Sequence, residues 1–197
     1  LAFACTTSAA MATEEPDFAS VQRDGNIEVR DYAGQIVAEV TVEGSRETAP
    51  SAAFRPLANY IFGGNAPRQE IAMTAPVTST QGQEIAMTAP VTSSESGQGS
   101  WTVAFIMPSE WTLQTLPAPN DPRVSLREVA PRRMVAIEFR GGRTADNLSG
   151  HLGQLESWLA ENGYAAVGAP EYAFYSPPWV PTPLRRNEIM IEVAAGF

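Results

Sequence analysis

The chain's positive charge rests entirely on thirteen arginines; there is no lysine, and histidine and cysteine occur once each, as His151 and Cys5. That inventory removes whole reaction classes. Without lysine there is no Schiff base, no pyridoxal anchor and no P-loop grip on a nucleotide phosphate. One histidine excludes the two-imidazole helix of a zinc protease, and one cysteine excludes a four-thiolate zinc site or an intrachain disulfide. Imidazole base chemistry has His151 alone to draw on, so an enzyme here has to work with carboxylates and hydroxyls. Glu70 and Glu84 occupy equivalent places in a short repeat, but nothing in the pattern sets their separation. The remaining residue types favour binding over catalysis. Guanidinium groups can grip an anion bidentately, the thioethers of Met73 and Met87 can pad a flat apolar ligand, and Trp179 sits on a stiff Pro177-Pro178-Trp179 segment.

At 197 residues and 44% apolar composition, the chain is large enough for a real core and reads as one domain or two tightly fused halves. A net charge of −9 argues against wrapping a nucleic-acid backbone, which needs clustered cations. No apolar run reaches the roughly 18–20 residues of a membrane span. The opening LAFACTTSAAMA is small and apolar, and Ala2-Phe3-Ala4-Cys5 is similar to a weak lipobox. An acylated Cys5 would put a bacterial protein in the periplasm or cell envelope, lipoprotein-like; the bland alternative is an inert tail on a cytoplasmic protein. Residues 1–16 are therefore set aside as a flexible tail, and 17–197 as a single folded domain.

The elements that must position those side chains alternate in period. Asn26–Tyr32 and Gln35–Val42 read as strands joined by an Ala33-Gly34 turn. Phe54, Leu57, Ala58 and Ile61 then recur at helical spacing up to Gly63-Gly64, with Pro56 expected in the first turn or at a bend. Glu70–Thr78 and Trp101–Met107 follow as strands. The second half repeats the order: strands at Val124–Ala130 and Arg133–Arg140, a helix from Thr144 as N-cap to Asn162-Gly163, and strands at Glu171–Tyr175 and Glu188–Val193 around the proline loop 176–183. Leu148, Leu152, Leu155 and Leu159 form that helix's apolar stripe, with His151 on its border. The predicted fold class is α+β, two pseudo-duplicated β-α-β-β halves with two main helices. Asn120-Asp121-Pro122-Arg123 reads as a turn, and Met107, Met134 and Met190 as core.

A literal repeat is superimposed on this. Gln69–Ser79 (QEIAMTAPVTS) recurs at Gln83–Ser93, too short and too few for a solenoid. The two copies can form a hairpin about Thr80-Gln81-Gly82, or one can pair while the other loops out.

The segments IEVRDY, YIFGGN, EIAMTAPV, MPSEWTLQTLPAPNDPRV and YSPPW…RRNEIMIEV, in this order over residues 20–193, resemble the SOUL/heme-binding protein family, bacterial members most closely. The resemblance implies a distorted antiparallel β-barrel of two pseudo-symmetric halves and non-covalent heme or tetrapyrrole binding in a shallow hydrophobic cleft, without established catalysis. It implies a cleft lined by the first helix, here Phe54, Arg55, Ala58, Asn59 and Phe62, with Arg55 and Arg68 able to reach propionates, and Met73, Met87 and Trp179 able to cover the macrocycle. The position at which one heme-coordinating member carries a histidine is Asp31 here, so the ligand is expected to be held by burial and charge pairing or by another ligand such as Met or Tyr. Trafficking or buffering of a tetrapyrrole is the expected role. Sensing of another planar molecule and a carboxylate-based hydrolase are the alternatives. The oligomeric state has no signature.

Overall fold

The period-2 stretches form strands with one face apolar. In the computed structural model, which describes residues 13–67 and 82–194, eleven strands and two helices follow one another. β1 (Phe18–Asp24), β2 (Ile27–Tyr32) and β3 (Gln35–Glu43) lead into α1 (Ala49–Ile61) and β4 (Asn65–Ala66). Then come β5 (Val91–Gly97), β6 (Ser100–Ile106), β7 (Ala118–Pro119), β8 (Ser125–Val129) and β9 (Arg132–Arg140). The chain continues through α2 (Ala145–Glu161), β10 (Glu171–Phe174) and β11 (Arg186–Val193).

Nine strands make one antiparallel sheet in the order β1-β2-β9-β11-β10-β5-β6-β3-β8, and β4 pairs with β7 separately. β2 and β3 stand second and eighth in that order, yet only Ala33 and Gly34 join them. Such a link forces the sheet to curl back on itself, giving an α+β fold, as the duplicated pattern predicts, with the barrel-like form that the resemblance implies.

Both helices cover one face of the sheet. α2 lays Leu148, Leu155, Trp158 and Leu159 on Ile27, Val29, Val135, Ile137, Ile189 and Ile191, with Leu152 partly buried at the edge of the cluster. α1 buries Ala53, Leu57, Tyr60 and Ile61 against Ala38, Val40, Val103 and Phe105. Alternation puts Tyr32, Met134, Ala136, Ala173 and Met190 on the opposite face, inside the curl. Thr144 caps α2 by accepting the Asn147 N–H at 3.3 Å, and Gly163 follows its end at φ +74°. Thr144→Ala is expected to cost about 1 kcal/mol in urea unfolding.

Four expectations change. α1 begins at Ala49, more than a turn earlier than the apolar spacing indicates, because Pro50 fits its first turn. Pro56 therefore lies inside the helix; its missing N–H leaves the Ala52 carbonyl to solvent, at an exposed position. β1 and β5 are strands without a sequence signature: every β1 residue is exposed, and β5 is VTSSESG. The supposed tail is attached from Glu14 onward. Its carbonyl accepts the Ala89 N–H at 2.8 Å, its carboxylate accepts the Ser109 N–H, and Glu15 pairs bidentately with Arg186 at 2.9 and 3.0 Å. The strand expected at Glu70–Thr78, with the first repeat copy and Cys5, lies outside the described residues. The second copy enters the fold: Glu84 bridges to Phe62, Ile85 is buried, and Val91–Ser93 begin β5.

Candidate functional site

At 100° per residue, Phe54, Arg55, Ala58, Asn59 and Phe62 fall within an arc of about 140° on α1. The buried residues Ala49, Ala53, Pro56, Leu57, Tyr60 and Ile61 occupy the other side, so this arc is the helix's outer face. Phe54 is 44% and Phe62 61% exposed, large apolar surfaces left in water. Phe54 is held edge-on by Phe105, with ring centroids 5.6 Å apart. Segment 82–90 runs past the helix's C-terminal end, where Ile85 N–H donates to the Ile61 carbonyl at 2.8 Å. The close crossing of Gly82 over Gly63 leaves no room for a Cβ at position 82. Two residues beyond Ile85, Met87 is 47% exposed on the same segment. Arg55, exposed beside the two phenylalanines, pairs with no carboxylate among the described residues.

No contact among the described residues ties the other nominated residues to this face. Arg68 and Met73 lie outside the described residues. Trp179 is 82% exposed, but its loop is held by Arg185, which donates to the Val180 and Pro178 carbonyls at 2.8 Å, and by the Gly141 N–H to the Arg185 carbonyl at 3.1 Å. Those anchors put it at the junction of β9 and α2. His151 lies flat on Phe139, centroids 4.1 Å apart, with Nδ1 2.7 Å from the Asn147 carbonyl oxygen. It is a packed boundary imidazole.

The hollow inside the curl is filled, so the shallow cleft that the resemblance implies does not lie there. Tyr32, Met134, Tyr175, Met190 and the Arg132–Glu171 ion pair leave a cavity of about 30 Å³, room for about one water. Deeper in, Arg30 bonds Glu28 at 2.8 Å, Glu188 at 2.8 and 3.2 Å, and the Tyr32 hydroxyl. Arg30 stands opposite Met134, and Glu188 opposite Glu138, so the guanidinium crosses β9 over Ala136, whose small side chain clears the path. Tyr175 donates to Glu188 at 2.7 Å; burial, then the Glu188 charge, push its pKa far up, so the phenol stays a donor. The sequence reading missed this network, because Glu28 and Arg30 alternate with Ile27 and Val29 as residues on a water-facing strand do.

A second cavity, of about 220 Å³, opens at the barrel mouth between residues 14–17, the Ala33–Ile36 turn and Met107–Trp111. The Trp111 indole N–H is buried beside it and finds no acceptor among the described residues. Among the described residues no group of three potential metal ligands gathers anywhere.

The family model described as SOUL heme-binding protein matches residues 13–192. No curated protein matches the chain. Among solved structures, a hydrolase from Listeria innocua is 10% identical, covering 88% of this chain and 94% of its own, with a TM-score of 0.56. The C-terminal domain of EcmrR is 14% identical, covering 85% and 96%, with a TM-score of 0.57. At such identities the likeness is one of fold.

Proposed function

Because the chain belongs to the SOUL heme-binding protein family, we propose that it binds heme or a related tetrapyrrole non-covalently on the outer face of α1. The observation that carries this reading is the coincidence, on one helical arc, of exposed Phe54 and Phe62 with Arg55, which has no ion pair among the described residues. A flat macrocycle covers the rings while a propionate meets the guanidinium. The helix's last turn borders the same surface. The interior of the barrel, with room for about one water, does not compete for so large a ligand. The chain's one imidazole is packed on α2, so affinity here comes from contact area and charge pairing. Iron-free protoporphyrin should then bind about as well as hemin. No catalytic step belongs to this reading, and trafficking or buffering of the pigment in the cell envelope is its natural role.

Hemin titration tests it. We expect a saturable Soret shift exceeding that given by an acidic control protein of similar charge; a linear, unsaturating response sinks the reading. The mouth cavity with its acceptor-less Trp111 favours a second reading, a sensor for a smaller planar molecule. Thermal shift that rises with such a ligand, and not with hemin, would select it.

A further inference from the structure

The twelve described arginines divide unevenly. Eight of them, at 23, 30, 46, 123, 127, 132, 133 and 186, have a carboxylate within 4.0 Å. Arg55, Arg140, Arg143 and Arg185 have none among the described residues. Arg55 is the cation of α1's outer face; the other three gather at one pole of the molecule, where β9 runs into α2 and the proline loop folds over the junction. Arg140 donates to the Leu184 carbonyl at 3.3 Å, and Arg185 holds the loop through two more carbonyls. Backbone carbonyls fix those guanidinium groups without cancelling their charge. Arg143 lies 3.9 Å over the Phe174 ring, and desolvation, then the charge of nearby Arg185, lower its pKa. Residues 140–145 and 176–187 contain no acidic side chain, and Asp146 in the first turn of α2 forms no ion pair with any of the three.

From the middle of this positive island the loop projects Trp179, 82% exposed, and Leu184, 59% exposed. Pro177, Pro178, Pro181 and Pro183 hold the loop's backbone, so presenting the indole costs little further chain entropy. Neither cavity includes any of these residues, so the pole is a projecting surface, suited to another surface more than to an enclosed small molecule. A chain of net charge −9 is repelled by an anionic surface in most orientations. Here that repulsion is locally reversed, and an indole, the side chain most at home at a headgroup boundary, stands at the tip.

We propose that this pole docks the protein on an anionic lipid bilayer, Trp179 and Leu184 entering the headgroup layer while Arg140, Arg143 and Arg185 face lipid phosphates. Basic residues at such a surface contribute about 1 kcal/mol each. The contact is therefore weak, reversible and sensitive to salt.

Vesicles of phosphatidylcholine alone, and of phosphatidylcholine with one quarter phosphatidylglycerol, test this at low ionic strength. Trp101 and Trp158 are only 8% exposed and Trp111 is partly buried, so Trp179 dominates any surface change in indole emission. We expect a blue shift and co-sedimentation with the anionic vesicles only, both lost in 0.5 M salt. Trp179→Ala should abolish the blue shift, and Arg140→Glu with Arg143→Glu should weaken binding at least tenfold, both variants keeping the native circular dichroism. Equal binding to neutral vesicles, binding to neither, or binding indifferent to these variants overturns the proposal. So does an equal emission change with inorganic phosphate alone, which would make the pole an ion site, or with a soluble acidic protein in place of vesicles.

Discussion

Arg30→Met is expected to destabilise the protein by about 3–5 kcal/mol in urea unfolding, a large part of what a domain of this size has. Methionine keeps most of the arginine's length, so the loss measures charge more than volume. Among the described residues Arg30 is the sole guanidinium bonded to both Glu28 and Glu188, and the Glu28 and Glu188 side chains are 5% and 0% exposed. Removing it strands Glu188 inside the barrel with Tyr175 and the more distant Arg186 as its remaining partners. Replacing both members, Arg30→Met with Glu188→Met, should recover stability relative to the single variant, because no buried charge is then left uncompensated. The acid limb gives an independent reading. Burial alone would raise the Glu28 carboxyl, but hydrogen bonds from Ser20, Arg30 and Arg23 outweigh it and hold the pKa below its ordinary value. A depressed folded value contributes stability that is present above about pH 4–5 and lost as pH falls through it. In Arg30→Met one of those donors is gone, so the gap between variant and parent should narrow between pH 5 and pH 3. A constant gap would mean that Arg30 acts through packing alone.

What could be read from the sequence follows the strength of the periodic signal. In β9, Val135, Ile137 and Phe139 alternate with Met134, Ala136 and Glu138, and both sets found their faces. Thr144 and Gly163 bounded α2 because their caps have a local cause. β1 carries no such pattern: it pairs at the sheet edge with all its side chains exposed, so only its backbone partner β2 defines it. β5 is held between β10 and β6, and its serines and glycine give no hint of that. The interior of the barrel was illegible for a related reason. Glu28, Arg30 and Glu188 satisfy one another across three strands, and alternation reports which residues share a face, without saying whether that face is wet. The five α1 residues came from the family resemblance; helical spacing explains only why they are neighbours on one arc. Trp179 stands on a stiff proline segment in the sequence; where that loop docks is a tertiary fact, set by Arg185 and Gly141. Arg140 and Arg143 drew no attention because an unpaired cation is recognisable only after every carboxylate has been assigned.

The same arc leads to the largest expected change in binding. Burying a phenylalanine completely contributes about 1.5–3 kcal/mol. Phe54 and Phe62 already have roughly half of that from the fold, at 44% and 61% exposed, and a macrocycle laid across them would take up the rest. Phe54→Ala with Phe62→Ala should therefore weaken hemin binding by about 2 kcal/mol, near thirtyfold in Kd. Phe62→Ala alone should leave stability within about 0.5 kcal/mol, since that ring lies mostly in water. Phe54→Ala should cost somewhat more, because the edge-on contact with Phe105 is lost as well. Arg55→Glu separates charge from area. It should weaken hemin several-fold and leave the dimethyl ester unaffected, because only the free propionate has a charge for the guanidinium to meet. The two variants thus act on different parts of one ligand and should be nearly additive with hemin. Hemin bound by the double phenylalanine variant as tightly as by the parent would put the macrocycle somewhere other than α1, and the 220 Å³ mouth beside Trp111 would become the place to look.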